Sequence, residues 1–260
     1  MHPEMIGFFD SGVGGLSILK NALEILPNHD YAYFGDEAYC PWGERPKEFI
    51  IERSRLITKK LISLDAKAIV VACNTATVNA ISTLRVEFPR IPFIGVEPGV
   101  KPATTLTESG KIAVLATKAT SLGDRFLQLV NLFAQDKDII MIPSSDLVEL
   151  VEQGKCEGEE VEECLSEILL PYMKTGFDQL VLGCTHYPFL TGAIRKILPS
   201  KINIIDTGPP VARQLARVIM QNNILEGSGK VSLWTSGDPK KFFELASKLL
   251  GIEIGKVERF

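Results

Sequence analysis

Cys73 and Cys184 stand in the same setting at two places in the chain. Ala68-Ile69-Val70-Val71-Ala72 leads into Cys73-Asn74-Thr75, and Gln179-Leu180-Val181-Leu182-Gly183 leads into Cys184-Thr185-His186. Each apolar run is short enough to be a buried strand, ends on a small residue and delivers a thiol followed by hydrogen-bonding side chains. One cysteine at a strand end is most simply a small core residue, because free cysteine is among the most buried types. Two in duplicate settings, each just before a predicted helix, point to chemistry. The unpaired N–H groups of a helix N-terminus favour thiolate, and a thiol of ordinary pKa is only slightly ionised at neutral pH. Cysteine nucleophiles usually operate singly with a histidine base. A matched pair suits inversion at a carbon acid, where one group removes a proton and the other returns one to the opposite face. Each sulfur should then approach the carbon to about 3–3.5 Å, which leaves the two on the order of 7 Å apart across the substrate.

The residues around the thiols fit that chemistry. His186 is the one histidine of three that lies inside a motif; His2 is at the terminus and His29 in the turn-like Pro27-Asn28-His29-Asp30 segment. It can hold a proton or exchange one with Cys184. Asp10, at the end of the first apolar run, can serve Cys73 in the same way, or cap the helix that follows, or do both. The loop Asp10-Ser11-Gly12-Val13-Gly14-Gly15-Leu16-Ser17 almost spells the dinucleotide fingerprint, with Asp36 about twenty residues on, but Ser17 stands at the third glycine. Its backbone N–H groups can equally hold a carboxylate. Asn74, Thr75, Thr117, Thr185 and the Pro41-Trp42-Gly43 turn supply neutral donors, and Asp10 or Glu152 a carboxylate for an ammonium group. Such a set suits a small zwitterion.

The elements that must position these residues alternate along the chain. Strands are predicted at 5–9, 31–34, 68–72 and 91–96, with helices at 16–26, 49–64 and 75–87 between them. A second series follows: helix 100–108, strand 112–116, helix 121–133, strand 138–142, helices 146–152 and 159–174, strand 179–183, helix 188–198, strand 202–205. Helix 209–223, strand 231–235, helix 239–250 and a closing strand at 252–258 complete it. Alternation of this kind builds mostly parallel sheets flanked by helices, an α/β fold, with ligand sites at the carboxyl ends of the strands. Asp10, Asp36, Cys73, Glu97, Thr117 and Cys184 all fall there. The cysteines are 111 residues apart, close to half the chain, which implies an approximate duplication. Two pseudo-symmetric lobes are expected, residues 1–97 with 207–260 on the Cys73 side and 98–206 on the Cys184 side, and the site in the cleft between them.

At 260 residues and 45% hydrophobic content the chain suits a globular protein of one large core or two small ones. A net charge of −4 with both signs interspersed gives no reason to expect nucleic acid or a membrane surface as partner. No apolar run approaches the ~20 residues of a membrane helix, and a basic and apolar leader is absent from the N-terminal residues, so a cytoplasmic setting is expected. Five cysteines without CxxC spacing argue against a disulfide framework or a zinc knuckle. The acidic stretch 157–167 reads as a solvated helix face.

With these residues assembled, the sequence resembles the glutamate racemases of the cofactor-independent aspartate/glutamate racemase superfamily. The matching segments are Phe9-Asp10-Ser11-Gly12-Val13-Gly14-Gly15, Tyr33-Phe34-Gly35-Asp36, Cys73-Asn74-Thr75-Ala76, Gly95-Val96-Glu97-Pro98 and Gly183-Cys184-Thr185-His186-Tyr187-Pro188. The resemblance implies interconversion of L- and D-glutamate without pyridoxal phosphate or metal, supplying D-glutamate for peptidoglycan, and a homodimer. It makes Cys73 the base for D-glutamate and Cys184 the base for L-glutamate. Asp10 falls on the helper of Cys73, and His186 and Glu152 on the helpers of Cys184. Asp10, Ser11, Trp42, Gly43, Asn74, Thr75, Thr185 and His186 match substrate contacts. Two positions depart from the pattern. Trp42 stands where a tyrosine is usual, and Pro143-Ser144-Ser145-Asp146 replaces a usual Ala-Cys-Pro, which leaves Glu149 as a rival to Glu152.

Overall fold

A computed structural model describes residues 4–260, and His2 lies outside the described residues. The first strands and helices are β1 (Met5–Asp10), α1 (Leu16–Ile25), β2 (Asp30–Gly35), α2 (Lys47–Ser63), β3 (Ala66–Val71), α3 (Asn74–Glu87) and β4 (Phe93–Gly95). After α4 (Val100–Leu106) come β5 (Lys111–Ala116), α5 (Lys118–Leu122), α6 (Asp124–Phe133), β6 (Asp138–Pro143), α7 (Asp146–Glu152), α8 (Glu159–Leu169), β7 (Gln179–Leu182), α9 (Thr191–Ile197) and β8 (Asn203–Ile205). The chain closes with α10 (Gly208–Asn222), β9 (Val231–Thr235), α11 (Pro239–Leu250) and β10 (Val257–Arg259).

Two parallel sheets result. One has the order β10-β9-β2-β1-β3-β4 and the other β6-β5-β7-β8. Both faces of the central strands are covered, so β1, β3, β5 and β7 are largely apolar and the two-residue alternation chooses a face rather than inside against outside. Phe9 lies between Phe34 and Val71 on one face, while Phe8 lies between Tyr33 and Val70 on the other. In the second sheet Leu115 lies between Ile142 and Leu182 on the face turned to the first sheet's core, and Val114 between Met141 and Val181 on the opposite face. One apolar cluster therefore runs from Phe8 through Leu16 of α1 to Val148 of α7 and Leu182, joining the sheets. Among the described residues no helix is long and apolar enough to cross a membrane.

Local signals account for the helix ends. Asp238 caps α11 by accepting from the Lys240 and Lys241 N–H groups, Pro239 takes the first helical position and Gly251 stops it at φ +68. A cap of this kind contributes about 1 kcal/mol. Three expected helices are shorter or broken. The one expected at 121–133 is two, because Thr117 caps α5 through the Thr120 N–H and Gly123 between α5 and α6 is extended. The one expected to run to 174 stops at Leu169, where Pro171 turns the chain into a 3-10 segment. The segment after Cys184 begins as a 3-10 turn at Tyr187–Leu190 and becomes α9 only at Thr191.

Candidate active site

The carboxyl ends of β3 and β7, in different sheets, bring the thiols to one cavity. Cys73 follows β3 as the N-cap of α3, and Cys184 follows β7 in a loop. Both face a small cavity also lined by Asp10, Ser11, Pro41, Trp42, Gly43, Asn74, Thr75, Thr117, Thr185 and His186; Val148 of α7 is an addition, and Glu152, expected with them, lies behind His186 in the outer cleft instead. The cavity holds only about 10 Å³, room for about one water. An amino acid is larger, so the structure is a closed state and a substrate must part the walls. Those walls belong to both sheets. Thr75 Oγ1 lies 3.2 Å from Thr117 Oγ1, Ser17 Oγ donates to the Thr185 carbonyl at 2.8 Å, and Thr185 Oγ1 donates to Asp10 Oδ2 at 3.4 Å.

On the first side, Cys73 is 5% exposed and its sulfur lies 3.9 Å from Ser11 Oγ. Burial, then the Asp10 charge, pushes this thiol well above its usual range, and the Ala76 N–H of α3 pulls the other way without prevailing. The lowering expected from a helix N-terminus is therefore overturned: desolvation of a buried sulfur outweighs a single oriented N–H. Asp10 accepts from the Gly15 N–H at 2.7 Å, bracing the loop at the N-cap residue of α1. Burial raises its carboxyl above the ordinary carboxylate value against the opposing pull of His186 and Cys73.

On the second side, the helix support expected for Cys184 is missing because the 3-10 turn intervenes, and His186 stands in its place. His186 Nδ1 lies 3.5 Å from Cys184 Sγ, and Nε2 lies 2.6 Å from Glu152 Oε1. Burial would lower this imidazole, but Cys184 and then Cys40 and Glu152 raise it well above its ordinary value. A charged ring can donate from both nitrogens, to sulfur on one side and carboxylate on the other. Of the two rival carboxylates, Glu152 is the one bonded to His186; Glu149, one turn earlier on α7, lines the outer cleft. Cys40 was not singled out by its local sequence, yet its Sγ lies 3.5 Å from Glu152 Oε1.

The glycine loop serves these helpers rather than a dinucleotide. A Cβ on Gly12 would lie 1.9 Å from Glu152 Oε1, and one on Gly14 would lie 2.4 Å from His186 Nδ1. The space a pyrophosphate would need is filled by the protein's own side chains. Asp36, the would-be ribose ligand, is buried in a bidentate pair with Arg53, whose Nε donates at 2.8 Å. It does not reach the cavity, and neither does Glu97. Trp42 is fully buried, and its indole N–H and the side-chain oxygen of Asn74 have no protein partner.

Known proteins resemble this chain over nearly its whole length. Residues 53–215 match the Asp/Glu/hydantoin racemase family. The chain is 43% identical to a glutamate racemase of Clostridium perfringens over 95% of its own length and 96% of the relative's. The glutamate racemase of Francisella tularensis, solved with D-glutamate, superposes with a TM-score of 0.87 at 30% identity, covering 100% of this chain and 98% of that one. The Escherichia coli enzyme, solved with L-glutamate and the activator UDP-MurNAc-ala, gives 0.89 at 29% identity, covering 99% and 98%. Likeness of this extent in sequence and fold leaves one assignment: the chain belongs to the Asp/Glu/hydantoin racemase family and is an isomerase.

Proposed function

We propose that this protein is a glutamate racemase that inverts the α-carbon by proton transfer between two thiols, without a cofactor. One observation carries the reading: Cys73 and Cys184 line one closed cavity from opposite sheets, each with its own proton-handling neighbour. Relatives solved with D-glutamate and with L-glutamate support the substrate.

In the L-to-D direction, Cys184 takes the α-proton as its thiolate. The C–H electron pair stays on carbon as a carbanion delocalised into the carboxylate, and Cys73, held as a thiol by burial, gives its proton to the opposite face. The enzyme is left with Cys184 protonated and Cys73 ionised, and solvent exchange or the reverse turnover resets it. His186, between Cys184 and Glu152, stabilises negative charge on sulfur and relays its proton. Asp10 does the corresponding work for Cys73. The α-proton is very weakly acidic, so oriented donors in a closed, nearly dry cavity must stabilise the charge that develops on the carboxylate. Ser11, Asn74, Thr75 and Thr185, which line the cavity, supply them in this reading. The unpartnered Asn74 oxygen suits the substrate ammonium.

The same reading divides the chain into a lobe of residues 1–97 with 207–260 and a lobe of 98–206, whose parting admits substrate. It makes the product D-glutamate for peptidoglycan in the cytoplasm, and the working form a homodimer, as the resemblance implies. The test is proton NMR of the cofactor-free protein with L-glutamate in D₂O, with chiral analysis of the product. Loss of the α-proton signal with D-glutamate accumulating is expected; no exchange with either enantiomer overturns the assignment.

A further inference from the structure

Among the described residues, one group of side chains brings three potential metal ligands together: the Cys40 sulfur, a Glu152 carboxylate oxygen and a His186 ring nitrogen, all within 4.8 Å of one another. Cys40 comes from the loop after β2, Glu152 ends α7, and His186 follows β7, so the group exists only when the two sheets are closed on each other. Thiolate, imidazole and carboxylate are the ligands that zinc selects.

We propose that Cys40, Glu152 and His186 form an inhibitory site for a thiophilic divalent cation of the Zn²⁺ type, with a water in the fourth position. Tetrahedral bonds of ordinary length put ligand atoms about 3.4 Å apart. Cys40 Sγ and Glu152 Oε1 are already 3.5 Å apart, and His186 Nε2 and Glu152 Oε1, now hydrogen-bonded at 2.6 Å, need to open by less than about 1 Å. Cys40 and Glu152 also line an outer cleft of about 940 Å³, which gives an ion its route, and the ion must displace the proton of a thiol that burial pushes up to about 12. That cleft carries Glu37, Glu149, Asp238 and Glu244 against Lys241 and Lys248, a balance that draws cations in. A hard cation such as Mg²⁺ finds only one carboxylate here and prefers oxygen throughout.

Binding replaces two protons with one metal ion: the Cys40 thiol proton and the His186 Nε2 proton leave to solvent. The ring, ligated through Nε2, can then no longer become a cation. Cys184 loses its proton relay, and turnover stops on that side. The inhibition depends on the racemase reading above; occupancy of the site does not, and the two are measured separately.

The experiment adds Co²⁺ as a spectroscopic probe and Zn²⁺ as its competitor to the full-length protein, wild type and Cys40→Ser. Wild type should show a thiolate-to-cobalt charge-transfer band that Zn²⁺ abolishes and Cys40→Ser lacks. Zn²⁺ should inhibit racemisation reversibly with a chelator, and Cys40→Ser, each protein being referred to its own metal-free rate, should need at least tenfold more. Mg²⁺ should do neither. As a check that needs no variant, Zn²⁺ should protect Cys40 of the wild type from alkylation, read by peptide mass mapping, while the half-buried Cys164 of α8 still reacts. A Cys40→Ser protein with an unchanged band and unchanged Zn²⁺ sensitivity places the ion on another of the free thiols and overturns the proposal, as does unprotected Cys40. Absence of racemisation in the metal-free enzyme with the cobalt band intact overturns only the functional reading.

Discussion

Val13 donates its backbone N–H to Glu152 Oε1 at 2.9 Å, and this bond joins the glycine loop of the first sheet to the carboxylate that serves the histidine of the second. The loop can approach so closely because Gly12 has no side chain. In the proposed reading the two halves are thus coupled at the proton relay, through the same carboxylate oxygen that meets His186.

Gly12→Ala and Gly15→Ala separate this coupling from the fold. The new Cβ at position 12 meets the flexible end of Glu152, which can swing away, so stability should change by less than about 1 kcal/mol. Activity should fall about 100-fold, the cost of misplacing a proton relay by an ångström. At position 15 the new Cβ meets the Ala72 carbonyl at 2.9 Å and the Asp10 Cβ at 2.8 Å, neither of which can swing away. That variant should lose about 1–3 kcal/mol by overpacking. Denaturant unfolding beside a racemisation assay distinguishes the two; equal destabilisation by both contradicts the coupling.

Much of this was legible in the sequence because it is local. Strand β9 and helices α7 and α11 begin and end where expected, since apolar runs, an Asp-Pro start and a glycine stop are written in neighbouring residues. The two thiols announced themselves by duplication. What was not legible depended on distant partners. Asp36 looked like a nucleotide ligand until Arg53 of α2 claimed its carboxylate. Cys40 reads as a loop residue because Glu152 is 112 residues away. A helix dipole was expected to ionise Cys73, but the depth of its burial, which outweighs the dipole, is a property of the packed fold.

Replacing either thiol should abolish racemisation while leaving half of the chemistry. In Cys73→Ala, Cys184 can still remove the proton of L-glutamate and return a solvent deuteron to the same face; in Cys184→Ala, Cys73 can do so only for D-glutamate. Racemisation should drop by about 10²–10⁴-fold in each, the usual contribution of a positioned acid or base. Residual α-proton exchange in D₂O, followed by NMR, should be confined to one enantiomer in each variant. Exchange of both enantiomers by one variant rules out a division of labour between the thiols.

The Asp36–Arg53 pair should hold the loop that carries Cys40 through Gly43. Arg53 also lies over the Tyr39 ring at 4.2 Å, and the side chain of Asp36 is fully buried. Arg53→Ala leaves that carboxylate without its partner and should cost about 3 kcal/mol. Adding Asp36→Asn removes the stranded charge and should recover part of the loss, so the two substitutions should be non-additive by at least about 1 kcal/mol. Additive losses in denaturant unfolding would mean that the pair is solvated and contributes little.

Glu37 should make the fold weaker as pH rises. Burial raises its carboxyl from 4.5 to about 7; the Thr235 hydroxyl opposes this, and Glu152 and Asp238 reinforce it. Between those two pH values the unfolded chain has already released the proton that the folded protein keeps, so stability falls with rising pH across the window from about 4.5 to about 7. The full shift corresponds to about 3 kcal/mol at 1.36 kcal/mol per unit, and partial solvent access at this site reduces the expected effect to about 1–2 kcal/mol. Glu37→Gln, which keeps an oxygen for Thr235 and removes the charge, should match wild type near pH 4.5 and exceed it in stability by that amount at pH 8. Thermal unfolding of the two proteins across this range measures the difference directly. Parallel profiles would show that Glu37 is no more buried in solution than an ordinary surface carboxylate.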